Sequence, residues 1–118
     1  MSDNIFWVLE VAIKPGELDN FKAVMNEMVK VTQANEPGAM NYEWFISEDG
    51  KSCHIYERYV DSAAVIAHTA GLGQLGARLW ETVQPTRFTV YGNPDAEVKK
   101  GLAALGAAIL APIAGFAR

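Results

Sequence analysis

Four residues in the middle of the chain combine groups suited to proton transfer with aromatic rings. They are Tyr42, Glu57, Tyr59 and His68. Imidazole has an unperturbed pKa near neutrality, and a carboxyl group in apolar surroundings can orient it. Tyrosine adds an aromatic wall and a hydroxyl group. These residue types indicate acid–base chemistry on an aromatic ligand, provided that the fold brings all four to one cavity.

The segment that carries these residues is typical of a β-hairpin followed by a helix. Strand-like runs at 39–47 and 52–60 flank an Asp-Gly dipeptide at 49–50, which is a strong hairpin signal. A two-residue loop there sets the register and pairs Tyr42 with Glu57. We therefore expect the Tyr42 hydroxyl to bind the Glu57 carboxyl group.

The same register separates the hairpin into two faces. One face is apolar and aromatic with a single acid, and it carries Met40, Tyr42, Trp44, Ile46, Cys53, Ile55, Glu57 and Tyr59. The other face is polar and aromatic, and it carries Asn41, Glu43, Phe45, His54, Tyr56 and Arg58. We expect helices to cover the first face and the sheet of a second subunit to meet the second face.

A helix predicted over 61–70 brings His68 toward the first face. Asp61 is a favourable N-cap residue. Ala64 and His68 are one turn apart, so the histidine should lie on the apolar side of the helix. The spacing therefore predicts that His68 contacts Glu57, and of the two we expect His68 to matter more for catalysis.

The remaining periodicity completes an α+β fold. Strands are predicted at 5–13 and 86–91, and helices at 17–34, 72–83 and 96–110. With the hairpin this gives βαββαβ, the ferredoxin-like order with a four-stranded antiparallel sheet, plus an extra C-terminal helix. We assign residues 1–94 to this domain and residues 95–118 to a helical extension of the same domain.

Composition limits the classes of partner and compartment. A chain of 118 residues, half of them hydrophobic, suits one domain, and the net charge of −4 argues against nucleic acid. The N-terminus lacks a basic leader, so we expect a cytoplasmic protein. Residues 101–117 carry no charge but contain Pro112 and many small residues, so we expect them to pack on protein, not on lipid.

No pattern for a metal or a nucleotide is evident. The two histidines lie on different predicted elements without a carboxylate-rich cluster, which is not metal-ligand spacing. The run GLGQLG at 71–76 has the letters of a dinucleotide loop but follows a helix instead of a strand.

Several motifs together resemble the antibiotic biosynthesis monooxygenase domain of the dimeric α/β-barrel superfamily. They are the helix-ending Glu36-Pro37-Gly38, Tyr42 in the second strand, Glu57 in the third and His68 at the end of the next helix. The resemblance implies a homodimer with two facing sheets and a ligand cavity in each subunit. It also implies oxidation of phenolic or quinol-like aromatics by molecular oxygen without a cofactor.

Under that resemblance the site residues have expected roles. His68, Glu57 and Tyr42 are the candidate catalytic residues, and Trp44, Tyr59 and Trp80 would bind the aromatic substrate. A higher oligomer through the C-terminal helix is an alternative to a simple dimer.

Two other functions stay open at this point. The protein could be a dimeric module that binds a small ligand without catalysis. A haem-degrading branch of the superfamily uses an axial histidine and an asparagine inside the first strand. His68 could be that ligand, but Asn4 lies only at the edge of the first strand.

Overall fold

The computed structural model describes residues 2–118 and places one mixed sheet beneath a layer of helices. The elements in chain order are β1 (Ile5–Ile13), α1 (Leu18–Asn35), β2 (Ala39–Ile46), β3 (Ser52–Tyr59), α2 (Ser62–Leu72), α3 (Gln74–Thr82), β4 (Val83–Tyr91), α4 (Ala96–Ala104) and β5 (Ala108–Leu110). The strand order is β2-β3-β1-β4-β5, with only the β4–β5 pair parallel. The ferredoxin-like α+β arrangement is thus confirmed.

The hairpin register agrees with the prediction. Tyr42 pairs with Glu57, and Asn41 pairs with Arg58. A bulge between Ala39 and Asn41 adds one residue, so that Met40 leaves the helix-facing row and is 51% exposed. The prediction that Met40 shares the inner face was therefore wrong, since Ala39 packs there instead.

The fourth strand begins earlier than expected. It starts at Val83 and includes Pro85, although proline cannot donate to a ladder. A register shift between Glu10 and Val11 absorbs the irregularity, because Val11 pairs with Pro85 while Glu10 pairs with Arg87. A bulge of this kind is one of the few places where a strand tolerates proline.

The C-terminal segment corrects the sequence analysis. The helix predicted over 96–110 ends at Ala104, and a fifth strand follows it, so the sheet has five strands and not four. Gly106 has φ +85°, and its backbone N–H donates to the carbonyl of Ala103. This left-handed glycine just after a helix is a common helix stop. No helix in residues 2–118 combines the length and hydropathy that a membrane crossing requires.

The two faces of the sheet differ. One face and the helices enclose a core that includes Ile5, Trp7 and Val11 of β1. The opposite face, here called the open face, carries a ring cluster in which Phe6 stacks on Tyr91 at 5.3 Å and meets Tyr56 edge-on at 6.5 Å. The Arg58 guanidinium lies 4.6 Å from the Phe6 ring centre. An aromatic face of this kind favours a covering partner.

Candidate active site

A cavity of about 620 Å³ lies between the inner face of the sheet and the helices. Its volume falls in the usual range for small-ligand sites. Most of its wall is apolar, and residues of β1 to β4 and of α1 to α4 contribute to it. The predicted site residues that line it are Tyr42, Trp44, Glu57, His68 and Trp80. Five of the six residues selected from the sequence are therefore brought to one cavity.

The polar end of this cavity is a buried row of three ionisable side chains. The His68 Nδ1 atom lies 2.8 Å from Glu36 Oε1, and its Nε2 atom lies 3.3 Å from Glu57 Oε1. The side chains are only 5% exposed for His68 and 7% exposed for each glutamate. A buried imidazole between two carboxyl groups can hold or transfer a proton in either direction.

Local structure explains why Glu36 reaches His68. Glu36 follows the last turn of α1, and its backbone N–H donates to the Thr32 carbonyl. The turn after it packs closely on α2, because a Cβ atom at Gly38 would lie only 2.7 Å from Cβ of Ala64. A glycine at 38 is needed for this approach, which holds the turn after α1 against the first turn of α2.

The start of α2 and two tyrosine rings fix the histidine from other sides. The Asp61 carboxylate accepts from the backbone N–H of Ala64, as the predicted N-cap requires. The His68 ring then lies between the rings of Tyr42 and Tyr59, with centres 5.2 and 5.1 Å away.

Charge and burial act in opposite directions on His68. Burial by itself lowers its pKa, but hydrogen bonding and charge from Glu57, followed by the charge and hydrogen bond of Glu36, raise the pKa above its ordinary value. The protonated ring is thus favoured over a wider pH range than in water. Burial, and then the charge of Glu57, raise the pKa of Tyr42 and of Tyr59, so both phenols stay neutral.

Tyr59 occupies a different place from the one expected for a substrate-binding residue. Its side chain is fully buried and is not among the residues that line the cavity. Its hydroxyl donates to Glu57 Oε1 at 2.6 Å. Tyr59, not Tyr42, therefore supplies the short phenolic hydrogen bond to the carboxyl group, although Tyr42 lies opposite Glu57 in the ladder. With Oε1 occupied by Tyr59 and His68, Oε2 is the Glu57 oxygen left for a ligand.

Sequence reasoning missed Glu36 as a functional candidate. The Glu-Pro-Gly signal predicts the end of a helix and contributes to the family resemblance, but it assigns no role to the Glu36 side chain, because nothing in the sequence gives the distance between that turn and α2. Two apolar wall residues at the C-terminal helix, Leu102 within it and Leu105 just after it, were missed as well.

Neither ring nitrogen of His68 is free to bind iron, since each contacts a carboxyl oxygen. Asn4 is also engaged away from the cavity, because its Oδ1 accepts from Arg58 Nε at 2.9 Å. These contacts remove the two residues on which a haem site would depend. Within residues 2–118, no group of three or more metal-ligating side chains has the geometry of a metal site.

Comparison with known protein families assigns the chain to one of them. The sequence model of the antibiotic biosynthesis monooxygenase family matches residues 5–75, more than half of the chain. The chain belongs to this family. No functionally curated protein matches the sequence significantly.

Solved structures show the same fold. MupZ from Pseudomonas fluorescens aligns over 99% of this chain and 96% of its own, with TM-score 0.87 and 20% identity. Rv0793 from Mycobacterium tuberculosis aligns over 78% of this chain and 96% of its own, with TM-score 0.67 and 22% identity. SnoaB, a cofactor-independent oxygenase from Streptomyces nogalater, aligns over 80% of this chain and 97% of its own, with TM-score 0.67 and 15% identity.

Proposed function

We propose that this protein is a cofactor-independent monooxygenase that oxidises a small phenolic or quinol-like aromatic with molecular oxygen. The observation that carries the proposal is the buried Glu57–His68–Glu36 row at one end of an otherwise apolar, aromatic cavity. Membership of the family supports it, as does the structural similarity to SnoaB, which is a cofactor-independent oxygenase.

The reaction requires the substrate to act as the reductant. Removing a proton from its hydroxyl group gives an electron-rich anion that transfers electrons to oxygen. When a ring C–H group conjugated with that hydroxyl becomes a carbonyl, one atom of O₂ enters the product and the phenol becomes a quinone. The other oxygen atom leaves as water with this ring hydrogen and the hydroxyl proton. The protein must therefore move one proton and exclude bulk water, which are the tasks that suit a carboxyl–imidazole pair in an apolar cavity.

Glu57 and His68 share the proton-transfer role in this scheme. His68 by itself is a poor acceptor when protonated, and its pKa is raised. Glu57 Oε2 can receive the substrate proton, while the adjacent imidazolium stabilises the negative charge that develops on the substrate. In this scheme Glu57 accepts the substrate proton, whereas the sequence led us to expect that His68 is the main base.

Glu36 is a positioning residue in the same scheme. It contacts His68 at Nδ1 and is not part of the cavity wall. Its hydrogen bond fixes the ring orientation so that Nε2 points to Glu57, as second-sphere carboxylates do for catalytic histidines.

The active form is proposed to be a homodimer whose open faces meet. The Phe6–Tyr56–Tyr91 cluster is only partly covered in one chain, and Phe45 on the same face is 55% exposed. A sheet-on-sheet contact would cover these rings.

Oxygen uptake tests the function directly. Chelator-treated protein is mixed with a panel of hydroquinones and anthrones, and dissolved oxygen is recorded. We expect turnover on at least one compound, and we expect Glu57→Gln and His68→Gln each to lower it by about 10²–10⁴. Glu27→Gln is the matched control, because Glu27 is half exposed and pairs with Arg78 on the surface.

Two results would contradict the proposal. Full activity in both active-site variants would remove the Glu57–His68 pair from the mechanism. Tight binding of aromatics without any oxygen uptake would favour the non-catalytic ligand-binding module.

A further inference from the structure

The wall of the cavity is completed by a helix outside the matched family region. The family match ends at residue 75, whereas α4 begins at Ala96. Leu102 of this helix and Leu105, which caps its C-terminus, nevertheless line the same cavity as Glu57 and His68. Part of the ligand-contacting surface is therefore supplied by a segment that the family pattern does not describe.

The share of this chain that solved structures match differs among them. MupZ aligns over 99% of this chain. Rv0793 and SnoaB align over only 78% and 80% of it, although 96% and 97% of their own chains are covered. About a fifth of this chain thus has no counterpart in those two proteins, while it has one in MupZ.

Two apolar side chains at the rim of the cavity are exposed to solvent. Leu105 is 64% exposed and Trp80, from α3, is 39% exposed, while Leu102 deeper in the wall is only 6% exposed. α4 packs on α2 and β5, and α3 packs on α1 and β4. The cavity therefore lies between α3 and α4, and an apolar group placed there would cover both Leu105 and Trp80.

We propose that Leu102 of α4 and Leu105, the residue that caps the C-terminus of this helix, determine with Trp80 of α3 how long an apolar group the cavity accepts. The ligand class is an uncharged amphiphile, with a hydroxyl group at the Glu57–His68 end and an apolar chain or ring system between α3 and α4. The proposal uses the site of the proposed function but concerns binding, and it does not require turnover.

The charge of the wall supports an uncharged ligand. Among the described residues, those that line the cavity include no lysine or arginine. Lys14 approaches the rim only through a 3.5 Å contact between its Nζ atom and the backbone oxygen of Trp80, and its side chain is exposed. His68 is the basic group in the wall, but it already contacts Glu57 and Glu36. A ligand carboxylate or phosphate would therefore add a full negative charge in an apolar space beside two glutamates, with no cation of its own.

Intrinsic fluorescence can measure this binding. The chain has three tryptophans, and Trp7, Trp44 and Trp80 all line the cavity. We would titrate the full chain, without oxygen, with 4-alkylphenols from ethyl to octyl. The variants are Leu105→Ala and Leu105→Trp, with Ile66→Ala as matched control. Ile66 is 41% exposed on α2 and is not part of the wall.

In the wild type, each added methylene that becomes buried should tighten binding roughly threefold to fourfold. The gain in affinity should stop at the alkyl length at which the ligand reaches α4. This limiting alkyl length should be about one or two methylenes longer in Leu105→Ala and shorter in Leu105→Trp. Ile66→Ala should leave the limit unchanged.

The proposal is overturned if the limit is the same in the wild type and both Leu105 variants, or if no alkylphenol binds. Thermal melting of each variant checks that it is folded, which the exposure of Leu105 favours. If chain-length selectivity changes as expected but oxygen uptake is absent, only the proposed function fails.

Discussion

Replacing Glu36 with glutamine should lower the pKa of His68 without removing the hydrogen-bond acceptor. In the native protein the Nδ1–Oε1 distance is 2.8 Å, and both side chains are at most 7% exposed. A buried hydrogen bond to a charged group contributes about 1.5–3 kcal/mol, whereas a neutral one contributes about 0.5–1.5 kcal/mol. The difference of about 1–2 kcal/mol corresponds to roughly one pKa unit.

The change also affects stability, with a definite sign. His68 has a raised pKa in the folded protein, so its protonation stabilises the fold fully below the unfolded pKa of 6.5. That stabilisation is lost as pH rises through the folded pKa. In folded Glu36→Gln the pKa of His68 should be lower than in the wild type. The free energy of unfolding should therefore fall less above pH 6.5, by about 1.4 kcal/mol for each unit by which the two pKa values differ.

Nuclear magnetic resonance of the imidazole nitrogens gives the pKa of His68 directly, and urea unfolding from pH 5.5 to 9 gives the linked stability. Glu27→Gln is the control, because it removes a surface carboxylate far along α1 from His68. An unchanged His68 titration in Glu36→Gln would refute the assignment of Glu36 as its electrostatic partner. So would a wild-type pKa below 6.5.

Two further predictions concern the ligand and the C-terminus. A 4-alkylbenzoate should bind at least roughly tenfold more weakly than the 4-alkylphenol of equal length at pH 7.5, because its carboxylate would be buried beside Glu57 while the basic group there, His68, already contacts Glu57 and Glu36; equal affinities in the fluorescence titration would contradict the charge argument. Deleting residues 111–118 should leave the circular dichroism spectrum unchanged, because Ile113 and Phe116 are 96% and 81% exposed. The deletion should weaken the proposed homodimer, because this tail borders a groove beside Phe6 and Arg58 of the open face; sedimentation velocity that shows the same dimer would exclude that role.

Local signals predicted most of the fold. The Asp-Gly turn set the hairpin register, and with it the pairing of Tyr42 with Glu57. The Asp61 cap located α2, which carries His68. The errors lie where local preference is overridden. The alanine-rich stretch after Ala96 favours helix, but the pairing of Ala108–Leu110 with β4 makes its last part a strand.

The candidate site was predictable only in part. Strand parity was sufficient to place Tyr42, Trp44 and Glu57 on one face of the sheet, because side chains alternate along a strand. The one-turn spacing from Ala64 then directed His68 of α2 toward that face. Neither signal could show that Tyr59 is not part of the cavity wall or that its hydroxyl binds Glu57. That detail depends on side-chain packing between strand and helix, which strand parity does not specify.

The sequence by itself determined the element order as far as α4, the hairpin register and the residue types available for chemistry, because these depend on short-range periodicity and turn preferences. Only the tertiary structure decided that Glu36 meets His68, since 32 residues separate them and the contact depends on the close approach of the Gly38 turn to α2. It also decided that Leu102 and Leu105 reach the cavity. Contacts between distant segments are set by how the helices pack on the sheet, and no local pattern encodes that packing.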